Sequence, residues 1–540
     1  MAPATVPSAS SNAELGKGEA GQLYEFIARP RSERRELAIS RKALRTLGVV
    51  AFFIVVVRTS WMCDDAFISL RVVDNFVSGL GLTYNPDERV QAFTNPLWVL
   101  LLSAPYALVR QPYQVCIAVS LALALASAWV LAYRVARDPV LAAVALGLLA
   151  CSQAYGDFST SGLENPLTHL LLISFYAIYL FADRRARHAK WAWLLAGLAG
   201  LGRIDALVCL VPPLVHLSVE RGWRSALRLA LVGMSPLLVW ELFSVLYYGF
   251  PLPNPAIAKL NVDIPRNELT GQGLLYLLDS VGRDPLTGLT IATGVVIAAS
   301  QPDWSRRLAG LGISLHLAYV VWVAGDFMAG RFLTAPLAVA VCVLLASAPA
   351  RLERTQLAAV AGVVALVVVL SPHRPFRDSF RPGKVSETGI VRELDYYGER
   401  LGLLSNLRRN AYKRHGWYTE GRRMAEARKV AEVHSNAGLC GFGAGPGVHV
   451  VDRAGLTDAF LARIKFKYKP DWRIAHYGRN IPRGYLKTLR TGKNRIANPR
   501  LRAYYDKIRV VTRGPIWSPA RLRTIWELNT GVWDDLLDAS

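Results

Sequence analysis

From about Leu44 to Leu370 the chain is a succession of apolar runs broken by short charged loops, and after Pro372 no such run returns. A helix needs roughly 20 apolar residues to cross the ~30 Å hydrocarbon layer of a bilayer, and most of these runs approach that length. Only 19% of the 540 residues are charged, and the charges are clustered, which separates an apolar part from a polar one. The fold class implied is a polytopic α-helical membrane protein with a C-terminal mixed α/β domain outside the bundle. Three regions follow: a basic tail, disordered by its composition, over 1–43; a transmembrane domain over 44–371; and a polar domain over 372–540.

Basic residues orient the chain. The cluster RPRSERRELAISRKALR precedes the first span, Leu44–Ser60, and holds that end in the cytoplasm by the positive-inside rule. Pro96–Val109 is too short to cross comfortably and reads as an interfacial helix on the outer surface. With that reading Arg134 and Arg137 fall inside, as do the loop Asp183–Lys190 and Arg221, Arg224 and Arg228. Spans are expected at Val115–Tyr133, Pro139–Tyr155, Asn165–Phe181 and Leu227–Tyr248. Four more follow near Thr287–Ser300, Leu308–Ala324, Phe332–Ser347 and Thr355–Leu370. The run Trp191–Ser218, interrupted by Arg203 and Asp205, fits two short helices turning near the outer face. The total is about eleven spans, with the C-terminal domain outside. That domain carries 33 Lys and Arg against 16 Asp and Glu. A basic domain would more commonly lie inside, but the rule counts short loops and is nearly silent on long domains.

The net charge of +23 is therefore spread over orienting loops and the tail, and no nucleic-acid module accompanies it. The six cysteines are scattered and show no metal-ligand spacing; a Cys63–Cys440 bridge would require both to face an oxidising compartment. GxGxxG, P-loop and HExxH patterns are absent, which leaves nucleotide-sugar and metalloprotease chemistry without a motif.

Polar residues gather on one face. The first outer loop, 61–114, opens with Asp64 and Asp65 at the end of the first span and adds Arg71, Tyr84, Asn85, Asn95 and Trp98. Carboxylates so near hydrocarbon are costly and mark a candidate site. SGLEN brings Glu164; the mid-bundle break brings Arg203 and Asp205; YYGFPLPNPAIAKL brings Asn254 and Lys259; GDFMAGR brings Asp326 and Arg331. Each also has a structural reading: Arg203–Asp205 as an ion pair, Asn254 as a turn residue, Lys259 and Arg331 as snorkelling cations, Glu164 as a cap. In the tail, the glycines of GLCGFGAGPG read as a loop and not as a phosphate cradle, with a strand at Val448–Val451. Asp452, Asp458, Trp472 and His476 are candidates for a polar surface that receives an acceptor.

These pieces, in the order DDAFISLR, GLGLTYNPDERVQAFTNPLW, SGLEN, YYGFPLPNPAIAKL and GDFMAGRFL, resemble the GT-C fold glycosyltransferases that use polyprenyl-phosphate sugars. Within them the chain is most similar to the mycobacterial terminal β-(1→2)-arabinofuranosyltransferase family and its bacterial relatives. VVDRAGLTDAFLARI and WRIAHYGRNIPRGYL extend the similarity over nearly the whole chain after Arg45. The resemblance implies a donor lipid entering laterally, transfer on the extracytoplasmic face, and a cell-envelope glycan as acceptor, with a carbohydrate-binding C-terminal domain. It places the catalytic acid pair on Asp64 and Asp65, with Asp64 as the base that takes the acceptor proton. Asp65 then holds sugar hydroxyls or a divalent cation. Donor contacts fall on Arg71, Asn95, Glu164, Arg203, Asp205, Asn254, Lys259, Asp326 and Arg331. Were donor and product both β-linked, configuration would be retained and one base would not complete the mechanism. Transfer of a hexose or mannose to protein or lipid is an alternative. So is a non-enzymatic transporter, although the two matching halves of a transporter are not visible.

Overall fold

The computed structural model describes residues 31–181, 186–349, 353–370, 388–427, 430–433 and 436–537. The first thirty residues of the basic tail, part of the basic loop after Phe181, and the Pro/Arg-rich opening of the C-terminal domain lie outside the described residues.

Helices dominate. Arg31–Arg58 carries the first apolar run, and the next helix, Asp64–Val77, begins at the acid pair. Several helices start where a proline at the first turn meets a polar residue before it. Such a proline costs the helix nothing, because the N–H it lacks would have no intrahelical partner. Pro96–Val109 follows Asn95, Pro139–Cys151 follows Asp138, and Pro285–Ser300 follows Asp284. Asp138 accepts the N–H of Val140, and Asp284 that of Thr287, each satisfying a free amide of the first turn.

Asn165–Phe181 has the limits the sequence gives it, and Pro96–Val109 is a separate helix with the expected bounds. The long run near Trp191 breaks where its charges stand, into Ala186–Gly202 and Ala206–Arg221. Two readings need correction. Leu227–Tyr248 is not one straight helix: Trp223–Gly233 and Ser235–Tyr247 meet at 58°. Pro236 sits in the first turn of the second helix, where its missing N–H interrupts the hydrogen-bond ladder. The stretch to Leu286, expected as a loop, contains the helices Asn254–Leu260 and Arg266–Arg283. Among the described residues one helix, Pro112–Val135, is long and apolar enough to cross a membrane alone, and the bent pair makes a second.

After residue 388 the chain is mainly helical, with a small sheet. Strands β1 (Val430–Val433) and β2 (His449–Asp452) pair in parallel, Val430 opposite His449 and Val433 opposite Asp452. Parallel neighbours need a crossover, and the chain between them forms the glycine-rich helix Leu439–Ala444. This crossover lands on the first-loop helix. A single apolar core runs from Phe52, Phe67 and Leu172 in the helical bundle through Tyr397, Leu439 and Val450 in the C-terminal region. All six cysteines are free, and the Sγ of Cys440 lies 3.7 Å from the Sδ of Met424, so the Cys63–Cys440 bridge is not formed.

Candidate active site

Asp64 and Asp65 are neighbours with different surroundings. Asp64 is buried, and its two carboxylate oxygens accept backbone N–H groups from the crossover, Gly438 at 3.1 Å and Leu439 at 2.7 Å. A side chain at Gly438 would collide with the Asp64 carbonyl, and one at Gly441 with the Tyr84 hydroxyl. The glycines of GLCGFGAGPG thus permit close packing. Burial pushes the Asp64 carboxyl up to about 7, against the two N–H bonds that favour its ionised form.

Asp65 is half-buried, and its carboxylate accepts no hydrogen bond among the described residues. Burial raises its affinity for a proton; Lys259 and Arg331 oppose this, Asp326 adds to it and His476 opposes it. These groups come from three separate stretches of the chain, with Asp326 and Arg331 on one of them. Lys259 is exposed at the end of Asn254–Leu260 and makes no ion pair among the described residues. His476 is half-buried, with its ring edge-on to Phe327 at 4.9 Å.

Behind Asp65 lies a buried charge network centred on Glu164. One Glu164 oxygen accepts Arg203 at 2.6 Å and Arg331 at 3.1 Å, and the other accepts the Asn95 amide at 2.6 Å. Arg203 is held by both oxygens of Asp205, at 2.9 and 2.7 Å. Arg331 also reaches Asp326 at 3.3 Å, while its Nε has no partner among the described residues. Burial raises the Glu164 carboxyl, but the two guanidinium groups and the Asn95 amide outweigh it and hold the group at about 2. Arg203 and Arg331 are each paired with two acids, and the Arg331 Nε is left without a partner among the described residues.

Five residues that the sequence reading placed at donor or acceptor are engaged elsewhere. Arg71, buried and 4.4 Å above the Tyr84 ring, donates to the carbonyls of Tyr84 at 2.7 Å, Val448 at 2.8 Å and Gly441. The Asn254 amide donates to the carbonyls of Gly455, Leu456 and Asp458 at 2.7, 3.1 and 3.2 Å. Asp452 accepts the N–H groups of Ala454 and Leu456 in its own turn. Asp458 accepts those of Phe460 and Leu461, with the Tyr485 hydroxyl at 2.8 Å. The Trp472 indole donates to Glu268 at 2.7 Å. These contacts fasten the C-terminal region to the bundle loops or fold it internally. Of the four acceptor candidates, His476 is among the groups that act electrostatically on Asp65.

The sequence reading passed over residues 392 and 393. Arg392 makes a two-point ion pair with buried Asp157, at 2.8 and 3.0 Å. Glu393 begins the helix Glu393–Leu401, is buried, and leaves its Oε2 without a hydrogen bond. An acid and a base side by side in a helical segment read as surface, and their burial depends on the bundle that covers them. Asp157, an acid between apolar runs just ahead of SGLEN, did offer a signal. Among the described residues no three His, Cys, Asp or Glu side chains converge as metal ligands. The described residues thus form no all-protein cage for a divalent cation.

No protein-family model matches the chain. It is 30% identical over 381 residues to the terminal β-(1→2)-arabinofuranosyltransferase of Corynebacterium glutamicum, covering 62% of this chain and 52% of that one. The protein of the same name from Mycobacterium tuberculosis is 28% identical over 330 residues, 51% of each chain. This chain is related to the arabinofuranosyltransferases. It spans about half the length of the curated relatives it matches.

Proposed function

We propose that the chain is a membrane glycosyltransferase that moves an arabinofuranosyl or related pentose unit from a polyprenyl-phosphate donor to a cell-envelope glycan. The observation that carries this reading is Asp65: a half-buried carboxylate with no hydrogen-bond partner among the described residues, set among Lys259, Arg331 and His476. In such a transfer the bond from the anomeric carbon to phosphate breaks, and its electron pair leaves on the phosphate oxygen. The acceptor hydroxyl oxygen bonds to that carbon, and its proton must go to a base. Asp65 is the member of the acid pair free to take it; Asp64 is occupied by the crossover. A raised proton affinity suits a base working near neutral pH. Lys259 and the free Nε of Arg331 suit the departing phosphate's charge.

The setting is the inner membrane of a bacterium, with about eleven crossings, the site on the outer face and the C-terminal domain beside it. Supporting this, the outer faces of the bundle helices expose Val215, Val219, Val239, Leu242 and Val296, apolar surface that lipid would cover. Pro96–Val109 buries Trp98, Val99 and Leu102 and exposes Leu108 and Val109, as a helix lying in the interface would. Membrane lipids are the partners implied, and nucleic acid is not. The test is transfer from a panel of polyprenyl-phosphate sugars in membranes containing the parent or the Asp65→Asn form. Transfer of one sugar by the parent, lost in a variant that inserts normally, is the expected result. An Asp65→Asn form as active as the parent would remove the site from consideration.

A further inference from the structure

Among the described residues, Glu393 is a buried carboxyl near this site that keeps an oxygen without a hydrogen bond and that the chemistry above leaves unused. Its helix is fastened at both ends to loops of the bundle. Just ahead of it, Val391 donates to the carbonyl of Phe327 at 2.8 Å and accepts the N–H of Ala329 at 2.9 Å. At its far end Leu401 accepts the N–H of Met62 at 3.1 Å, and Leu403 donates to the carbonyl of Ser60 at 2.8 Å. Between these points Tyr397 stacks on Trp61, with ring centroids 6.1 Å apart and planes inclined by 16°. The helix therefore lies between the loop that carries Asp326 and Arg331 and the one that carries Asp64 and Asp65. Glu393 stands at its first position, 8% exposed, with Oε2 wholly buried and unpaired.

A buried carboxyl without a partner costs stability, and a fold that keeps one has given up the hydrogen bond or the solvation that would offset the cost. The ion pair beside it sharpens the contrast. Arg392 reaches to Asp157, and Glu393 makes no ion pair among the described residues. We propose that Glu393 is a second catalytic carboxyl group of this site, facing Asp65 across the transferred sugar and donating a hydrogen bond to one of its oxygens. This rests on the function proposed above.

The charges around Glu393 agree with a donor role. Burial raises its proton affinity first; Asp65, Asp326 and Asp64 raise it further, and Arg331 opposes them. Cys63 and Tyr397 also face it, both held in their neutral forms by burial. Its surroundings thus favour the protonated form of Glu393, the form that donates a hydrogen bond. As a donor it transfers no proton in the reaction. It binds a sugar oxygen and is regenerated unchanged.

The experiment uses full-length protein in membranes, with a polyprenyl-phosphate arabinofuranose as donor and an arabino-oligosaccharide as acceptor. kcat and KM are measured against pH for the parent and for Glu393→Ala, Glu393→Gln and Glu393→Asp. Glu393→Ala should lose about 100-fold in kcat, the usual cost of removing one well-placed donor. The parent should lose activity at alkaline pH as Glu393 ionises. Glu393→Gln, which donates but does not ionise, should lack that limb, and Glu393→Asp should restore it. A merely structural residue would not move the limb. The Gln form decides the matter if the Ala form fails to fold. A Gln form that retains the parent's alkaline limb, or an Ala form with the parent's kcat, overturns the proposal. If Asp65→Asn is inactive while the Glu393 variants match the parent, only this inference fails. If Asp65→Asn is itself active, the proposed function fails first.

Discussion

The carboxylate of Asp64 accepts the backbone N–H of Leu439 at 2.7 Å, joining positions 375 residues apart. Its neighbour Asp65 makes no such contact, so an acid pair that reads as one motif divides into a fastener and a free group. Asp64→Asn presents an N–H₂ where one backbone N–H now finds an acceptor, and should cost about 1–3 kcal/mol of stability. Asp65→Asn should change stability by less than about 1 kcal/mol while abolishing transfer. Thermal unfolding in detergent alongside a transfer assay separates the two. Equal loss of stability in both variants would refute the division.

The sign of the Asp64 titration gives a second check. Its folded-state value of about 7 lies above the ordinary 3.8, so the folded protein binds the extra proton between those values. The stabilisation is fully present below about pH 3.8 and is lost as pH rises through about 7. The stability difference between the parent and Asp64→Asn should therefore shift against the parent over that interval. A difference that is flat from pH 4 to pH 7 would contradict the burial of this group.

Glu164 should behave in the opposite way. It bridges Arg203 and Arg331, and its value of about 2 lies below the ordinary 4.5. Its contribution is thus present above pH 4.5 and lost as pH falls through about 2. Glu164→Gln leaves two buried guanidinium groups short of a shared counter-ion and should cost about 3–5 kcal/mol at pH 7. Unfolding measured at pH 7 and at pH 3 should show the gap between parent and variant narrowing at the lower value.

Much of this arrangement was legible in the chain, and the reasons are local. Proline at the first turn and an interrupting charge pair mark helix ends whatever the tertiary context, so Asn165–Phe181 and the break at Arg203–Asp205 could be read directly. Glu164, Arg203, Asp205, Asp326 and Arg331 do come together, because each is a charge in an apolar setting that has to find a partner. What could not be read was which polar groups the C-terminal region would use as fasteners. Arg71 and Asn254 donate to backbone carbonyls, and a backbone carbonyl leaves no trace in a residue's identity. Glu393 was hidden for the related reason that its burial comes from packing against distant loops.

Lys259 is the residue that should alter binding with the least effect on the fold. It is exposed and has no ion-pair partner among the described residues, so Lys259→Ala should leave the unfolding temperature unchanged. If its ammonium group meets the donor phosphate, losing one charge-assisted contact of about 1.5–3 kcal/mol should raise the KM for donor by about 10- to 100-fold. Lys259→Arg should recover much of the loss, since a cation remains within reach. Raising ionic strength should weaken donor binding in the parent more than in Lys259→Ala, because screening acts on the charge the variant lacks. A KM that is unchanged in Lys259→Ala would place the phosphate elsewhere and leave Arg331, with its unpaired Nε, as the cation to examine next.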